Sequence, residues 1–171
     1  MKTHILNQLI NFFWMALCCA PLLWYWLLAG WDVWAWIFIT VSCVMGLLPR
    51  SLLRWTQLAT TRRGFEKLGV KAIRKLTQNG DWANAATGSA GNTVGNLAGA
   101  ERYRATINMY ERFHLICGFF FLFSGLHAFT FGHWILGTLN LATNLVFNVA
   151  AIILQQYNRL RIDNLLRSHT S

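Results

Sequence analysis

The stretch Tyr110-Glu111-Arg112-Phe113-His114 marks where a charged helix turns into an apolar one. Glu111 and His114 stand three residues apart, so on a helix they share a face about one turn apart. Leu115 to Phe123 follows at once as an apolar run. A carboxylate and an imidazole at the edge of such a run are poorly placed for stability and need a partner or a job. Working upstream, a helix begins at Glu101, and Glu101, Arg104, Asn108, Glu111 and Arg112 lie within a sector of about 100°. His114 continues that stripe, and Gly118 and Gly125 extend it. Working downstream, a membrane span is expected over about residues 113–131, a turn at Gly132-His133, and a further span over about 134–154.

The totals agree with a membrane protein. The chain of 171 residues is 55% hydrophobic and only 12% charged, whereas a soluble domain carries about a quarter charged residues. The net charge of +9 does not point to nucleic acid. The lysines and arginines are interleaved with apolar spans, which fits anionic head groups or positive-inside topology. Cys18, Cys19, Cys43 and Cys117 all fall in apolar stretches without CxxC spacing and read as small core residues, not as a disulfide or zinc set.

Near the N-terminus a run from about Leu9 to Ala29 is interrupted only by Asn11 and Pro21 and is long enough to cross a bilayer. It exceeds an ordinary signal-peptide core and no small-x-small cleavage site closes it, so it reads as a retained helix. Gly30-Trp31-Asp32 makes a turn, and a second span is expected over 33–48, ended by Pro49 and Arg50. Trp24, Trp26, Trp31, Trp34 and Trp36 cluster around the turn like an aromatic belt. The expected fold is therefore an all-α integral membrane protein forming one domain over 1–171, with four transmembrane helices (about 9–29, 33–48, 113–131 and 134–154) in two hairpins. A basic amphipathic segment over 50–112 lies between the hairpins, and a tail covers 155–171.

In residues 50–82, Arg50, Arg54, Arg62, Arg63, Lys67, Lys71, Arg74 and Lys75 alternate with apolar residues such as Leu53, Phe65, Val70 and Ile73. The mixture suits amphipathic helices in the head-group region; a soluble basic loop is the bland alternative. Residues 83–100 are small and polar. They read as a flexible linker or a closely packed turn, since GxGxxG, a P-loop lysine and a preceding strand are all missing for a phosphate loop.

The last span carries Asn140, Asn144 and Asn148, four apart, with Gln155, Asn158 and Arg159 expected on the same side. Facing lipid they would be costly, so the stripe is expected to face protein or a water-filled pocket; hydrogen bonds that merely hold helices together are the alternative. All fifteen Lys and Arg fall in the N-terminus, the 50–112 segment or the tail, and the turns near Asp32 and His133 hold none. Positive-inside then puts both termini and the middle segment in the cytoplasm, in a bacterial inner (cytoplasmic) membrane.

A histidine can act as general base on a hydroxyl, and a carboxylate can orient it. Arginine and amide groups can hold a phosphate, a sugar or a developing oxyanion. His114 and Glu111 are the catalytic candidates, with His114 as base and Glu111 as its orienting partner. Gln155, Asn158, Arg159, Arg104 and Asn108 are the substrate-binding candidates, with Arg159 and Asn158 as head-group or oxyanion holders. A purely structural His114 stays open. A di-metal site would want further carboxylates from other helices, and the chain has only six acids, so no metal is expected. His114 and His127, about 19 Å apart on a helix, have a spacing that can bracket two haems, but no second helix supplies matching histidines, so haem would need a dimer. Serine triads, P-loops and HxxxxD motifs are missing.

Glu111-Arg112-Phe113-His114, Asn148-Val149, Gln155-Gln156-Tyr157-Asn158-Arg159-Leu160-Arg161 and Leu165-Leu166-Arg167 together resemble the glycosyl-4,4'-diaponeurosporenoate acyltransferase family. Phe65-Glu66-Lys67, Val70-Lys71, Arg74-Lys75 and Asn79-Gly80 are similar to an earlier stretch of it. The resemblance covers roughly residues 65–168, and by matching positions it implies that Glu111, His114, Asn148, Gln155, Asn158, Arg159 and Arg161 line the site, with Asn148 and Arg161 among the substrate-binding candidates. Where the family has prolines this chain has Ala150 and Leu160, and Ile73 and Arg74 replace its Trp-Lys pair. The resemblance implies transfer of a fatty acyl group onto a sugar hydroxyl of a glycosylated carotenoid or related glycolipid at the cytoplasmic interface. The implied partners are membrane lipids, a lipid-like glycosylated acceptor and an acyl donor. That donor, such as acyl-CoA or acyl carrier protein, is a co-substrate, with no further cofactor; a homo-oligomer stays open. The competing reading is a non-catalytic membrane module that binds lipid or pigment or supports a larger complex.

Overall fold

A computed structural model describes residues 2–49, 51–76 and 97–168, and every regular element among them is helical. Most of the small-residue stretch expected as a linker, and the phosphate-loop alternative with it, lies outside the described residues. The helices are α1 (Lys2–Ala29), α2 (Val33–Leu47), α3 (Arg62–Lys67), α4 (Val70–Leu76), α5 (Leu97–Thr130), α6 (Trp134–Asn144) and α7 (Ala150–Ser168). A short 3₁₀ turn covers Arg54–Thr56, and a π-helical turn, Leu145–Val149, joins α6 to α7.

Local chemistry sets the breaks. Gly30 takes φ +80°, which glycine adopts without a Cβ penalty. Asp32 then caps α2, its carboxylate accepting from the Trp34 and Ala35 amides at 2.9 and 3.2 Å, two donors left over by the first turn. Gly132, at φ +77°, separates α5 from α6. Thr61 caps α3 by accepting from the Gly64 amide at 3.1 Å.

Among the described residues, three helical stretches are long and apolar enough to cross a membrane: Gln8–Ala29, Gly99–Thr130 and Trp134–Ser168, with 18-residue windows of mean hydropathy 1.7, 1.6 and 1.6. This is a membrane protein. The fourth expected span is a shorter apolar helix. The 15 residues of α2 rise about 22 Å, against a hydrocarbon core of about 30 Å. Helix α5 begins at Leu97, ahead of the expected Glu101, and α7 carries the last helix through the expected tail to Ser168.

The chain divides into two compact units, one of residues 1–13, 55–111 and 153–171, the other of 14–54 and 112–152. In the first, Ala100, Ile107 and Ile162 form a core joined by Leu165 and Leu166. Phe65 is fully buried and meets Tyr157 edge-on, with ring centroids 5.9 Å apart. Val70 is also buried, while Arg62, Arg63 and Lys71 are exposed. The apolar–basic alternation over 62–76 is therefore a genuine two-faced pattern.

In the second unit, α5 is the shared partner. Trp26 of α1 donates its indole N–H to Ser124 Oγ at 3.0 Å and stacks on His127, with centroids 5.5 Å apart. Trp26 is thus a core residue, whereas Trp24, Trp31, Trp34 and Trp36 stay exposed. Its single polar atom has a buried partner, which removes the reason to stay at the interface. Leu22, Tyr25, Ala35, Phe121 and Ala128 complete that core. The outer surfaces are apolar, with Leu27 at 76% and Ile135 at 77% exposure, the arrangement expected where lipid is the solvent.

Helices α5 and α6 approach closely at Gly125 and Gly137. A Cβ on Gly137 would stand 2.6 Å from the Phe129 ring and 3.0 Å from the Gly125 carbonyl oxygen, whereas one on Gly118 would meet nothing nearer than 3.5 Å. We expect Gly137→Ala to destabilise the purified protein by about 1–3 kcal/mol through overpacking and Gly118→Ala to leave it near neutral. Thermal unfolding in detergent reads both.

Candidate active site

Two polar clusters, one in each unit, hold Glu111 and Arg159 and, separately, His114 and Asn148. In the first unit, Glu111 is buried, at 6% exposure. Its carboxylate accepts from the Gln156 amide at 3.0 Å and from the Arg159 guanidinium, which also donates to Gln57. Gln156 is 1% exposed. It accepts from the Leu58 amide at 2.9 Å and donates to the Thr56 carbonyl at 2.9 Å. One side chain thus satisfies backbone groups on both sides of Gln57, in a segment with no ladder of its own. Side-chain exposures of 7% for Glu111 and 14% for Arg159 make this a desolvated ion pair. Such a pair holds together only when further hydrogen bonds fill the remaining lone pairs and protons, and Gln156 and Gln57 supply them.

The other basic candidates of this unit lie nearer solvent. Arg104 is exposed and pairs with Asp163 at 3.0 Å. Arg161 is exposed, with its guanidinium 5.9 Å from the Tyr157 ring centre. Asn108, Gln155 and Asn158 are half-buried. Arg104, Asp163, Leu166 and Arg167 line a shallow cavity of about 210 Å³.

In the second unit, His114 of α5 has its Nδ1 3.2 Å from Asn148 Oδ1. Asn148 donates from Nδ2 to Asn144 Oδ1 at 2.9 Å, and Asn144 donates from Nδ2 to the Gly118 carbonyl at 3.0 Å. Asn140, Asn144 and Asn148 are all buried, so the asparagine stripe faces protein. The π turn lies at this stripe. Its widened coil ends with the Ala150 amide donating to the Leu145 carbonyl, and such turns often accompany functional positions. Arg112 donates to the Gly46 carbonyl at 3.2 Å, satisfying one of the acceptors left over at the end of α2.

His127 belongs to an aromatic surround. Its Nδ1 is 2.6 Å from the Tyr25 hydroxyl, and Trp26, Trp34, Phe38 and Phe131 pack about the ring.

The observed orienting group on His114 is Asn148, in place of the expected Glu111. The Glu111 carboxylate is occupied by Gln156 and Arg159, and the Arg159 guanidinium expected to hold a head group is occupied by Glu111 and Gln57. Gln156 and Gln57 were not among the expected site residues, and neither was Asn144. Asn144 was visible in the four-residue spacing; Gln57, in an irregular segment, gave no periodic signal.

An all-helical membrane protein with polar clusters buried between its helices is the class these features define. The family model for glycosyl-4,4'-diaponeurosporenoate acyltransferase matches residues 49–168, and the chain belongs to that family. The match starts ahead of the stretch whose motifs show the resemblance, taking in the 3₁₀ turn and Gln57. No curated protein and no solved structure matches the chain.

Removing one partner of a buried ion pair leaves the other charged and unpaired. We expect Arg159→Met to cost about 3–5 kcal/mol in detergent unfolding, and the double variant Glu111→Leu/Arg159→Met to recover most of it. A double variant as unstable as the sum of the two singles would mean the pair is not the unit that matters.

Proposed function

We propose that this protein transfers a fatty acyl group from a thioester donor onto a sugar hydroxyl of a glycosylated carotenoid or related glycolipid. Acyl-CoA or acyl carrier protein would serve as donor. Family membership supports the reaction class, and the observation that carries the assignment of a base is the imidazole of His114 held by a buried amide. In the proposed step His114 takes the proton from the sugar hydroxyl as its oxygen attacks the thioester carbonyl. The carbon–sulfur bond of the tetrahedral intermediate then breaks, an ester remains on the sugar, and the departing thiolate receives the proton from His114.

Glu111, with Arg159 and Gln156, is given a supporting role: it braces the segment around Gln57 and fixes the charged part of α5. Arg161 and Arg104 are assigned to the anionic parts of donor or lipid, and Asn158, Gln155 and Asn108 to polar head groups. The exposure of Arg104 and Arg161 and the amphipathic pattern over 62–76 support a basic surface toward anionic lipid. We further infer four crossings, with α2 as the short one, both termini in the cytoplasm, and residence in a bacterial inner membrane. The distribution of Lys and Arg supports that orientation.

The direct test compares lipid and pigment extracts from cells making the wild type or His114→Ala at equal membrane levels, in a host that contains glycosylated carotenoids. Glycolipids heavier by one fatty acyl group are expected only with the wild type. Identical extracts would favour a lipid- or pigment-binding module instead. For topology, fluorescent-protein fusions at either terminus, using a reporter that matures only in the cytoplasm, are expected to fluoresce. A dark C-terminal fusion beside a bright N-terminal one would mean an odd number of crossings.

A further inference from the structure

We propose that Asn144 is a positioning residue. Through Asn148 it holds His114 in the tautomer that carries its proton on Nδ1 and leaves the Nε2 lone pair free. The inference rests on the reading of His114 as the proton acceptor and names the device that prepares it.

One end of the hydrogen-bonded chain is unambiguous. The Gly118 carbonyl oxygen can only accept. The Asn144 atom 3.0 Å from it is therefore the amide nitrogen, and Asn144 Oδ1 is turned toward Asn148. An amide oxygen also only accepts, so the Asn148 atom 2.9 Å away is its nitrogen. That leaves Asn148 Oδ1 opposite His114 Nδ1, at 3.2 Å, and the hydrogen between them must sit on Nδ1. A neutral imidazole has one N–H, so Nε2 has none. Each link follows from the one before, and the chain is fixed at a backbone atom that cannot flip.

Burial makes the chain costly to reverse. Asn148 is fully buried and Asn144 is 8% exposed. Turning Asn148 alone would set two amide oxygens against each other, and turning both would set an oxygen against the Gly118 carbonyl, with no water to relieve either clash. Gly118 is not itself required for this approach: a Cβ there would make only ordinary contacts, 3.5 Å from Asn148 Cβ and 3.6 Å from Asn144 Oδ1. The ring plane is held separately. His114 meets Phe113 and Phe147 edge to face, with centroids 5.3 and 5.6 Å apart. Asn140, one turn further along, is not part of the device. Both its amide atoms are buried without a hydrogen-bond partner among the described residues, so the three asparagines of the stripe are not equivalent.

The test is ¹⁵N NMR of the full chain in lipid nanodiscs, labelled at histidine, with His114 assigned by the signal missing in His114→Ala. In the wild type, His114 Nδ1 is expected to show the shift of a protonated ring nitrogen and Nε2 that of an unprotonated one. In Asn144→Leu, Asn148 is free to turn, and the two nitrogens are expected to move toward averaged shifts. Asn148→Asp offers His114 only acceptors and is expected to keep the proton on Nδ1. A wild-type His114 protonated on Nε2 overturns the proposal whatever the variants do, and so does an unchanged tautomer in a folded Asn144→Leu. Acyl transfer is read separately: Asn144→Leu is expected to lower kcat at least tenfold with KM little changed. A tautomer that follows Asn144 while transfer does not would leave the positioning intact and sink the assignment of His114 as base.

Discussion

A polar side chain on an apolar helix has no water to fall back on, so every buried donor and acceptor must find its partner within the protein or remain unpaired at a cost. That constraint organises both units. In one, Gln156 and Gln57 surround the Glu111–Arg159 pair and draw an irregular segment onto α7. In the other, Asn144 and Asn148 tie α6 and the π turn to α5, and Ser124 does the same for Trp26. Apolar packing between helices cannot by itself choose one register in lipid, because lipid chains are as apolar as leucine. The directional bonds choose it.

Much of this was legible in the sequence because it follows from local chemistry. Glycines beside Asp32 and His133 announced both turns, and the alternation of charge and apolar residues over 50–82 announced amphipathic helices, which among the described residues are confined to 62–67 and 70–76. The spacing of Asn140, Asn144 and Asn148 announced a buried stripe, and the Glu111–His114 stretch announced that chemistry was concentrated at one point on α5. What was not legible depends on partners distant in the chain. Glu111 precedes His114 by three residues, which suggested a pair, yet it is bonded by residues 45 and 48 positions later. Trp26 looked like its exposed neighbours until Ser124 gave its N–H a buried acceptor.

Gln156, next to the expected Gln155, is the residue that bonds Glu111, and the π turn bears on which of the two is buried. A π turn such as Leu145–Val149 accommodates an extra residue and so rotates the face that follows it. The structure buries Gln156 and leaves Gln155 half-exposed. Ala150 bears on the same point. Its amide makes the π-type bond to Leu145, and the family pattern has proline there, a residue with no amide hydrogen to give. Alanine makes that bond to Leu145, which proline could not.

The account's central claim is that a histidine held by a buried amide chain activates a sugar hydroxyl for acylation, and it is tested most directly with the purified protein in lipid vesicles. Vesicles containing a glycosylated carotenoid would be given an acyl thioester labelled in its carbonyl carbon, and the products analysed by mass spectrometry and by mild alkali. The account predicts one labelled, alkali-labile acyl ester per sugar, formed in step with release of free thiol. Thiol release without ester on the sugar, or no reaction with acyl-CoA and with acyl carrier protein alike, would contradict it.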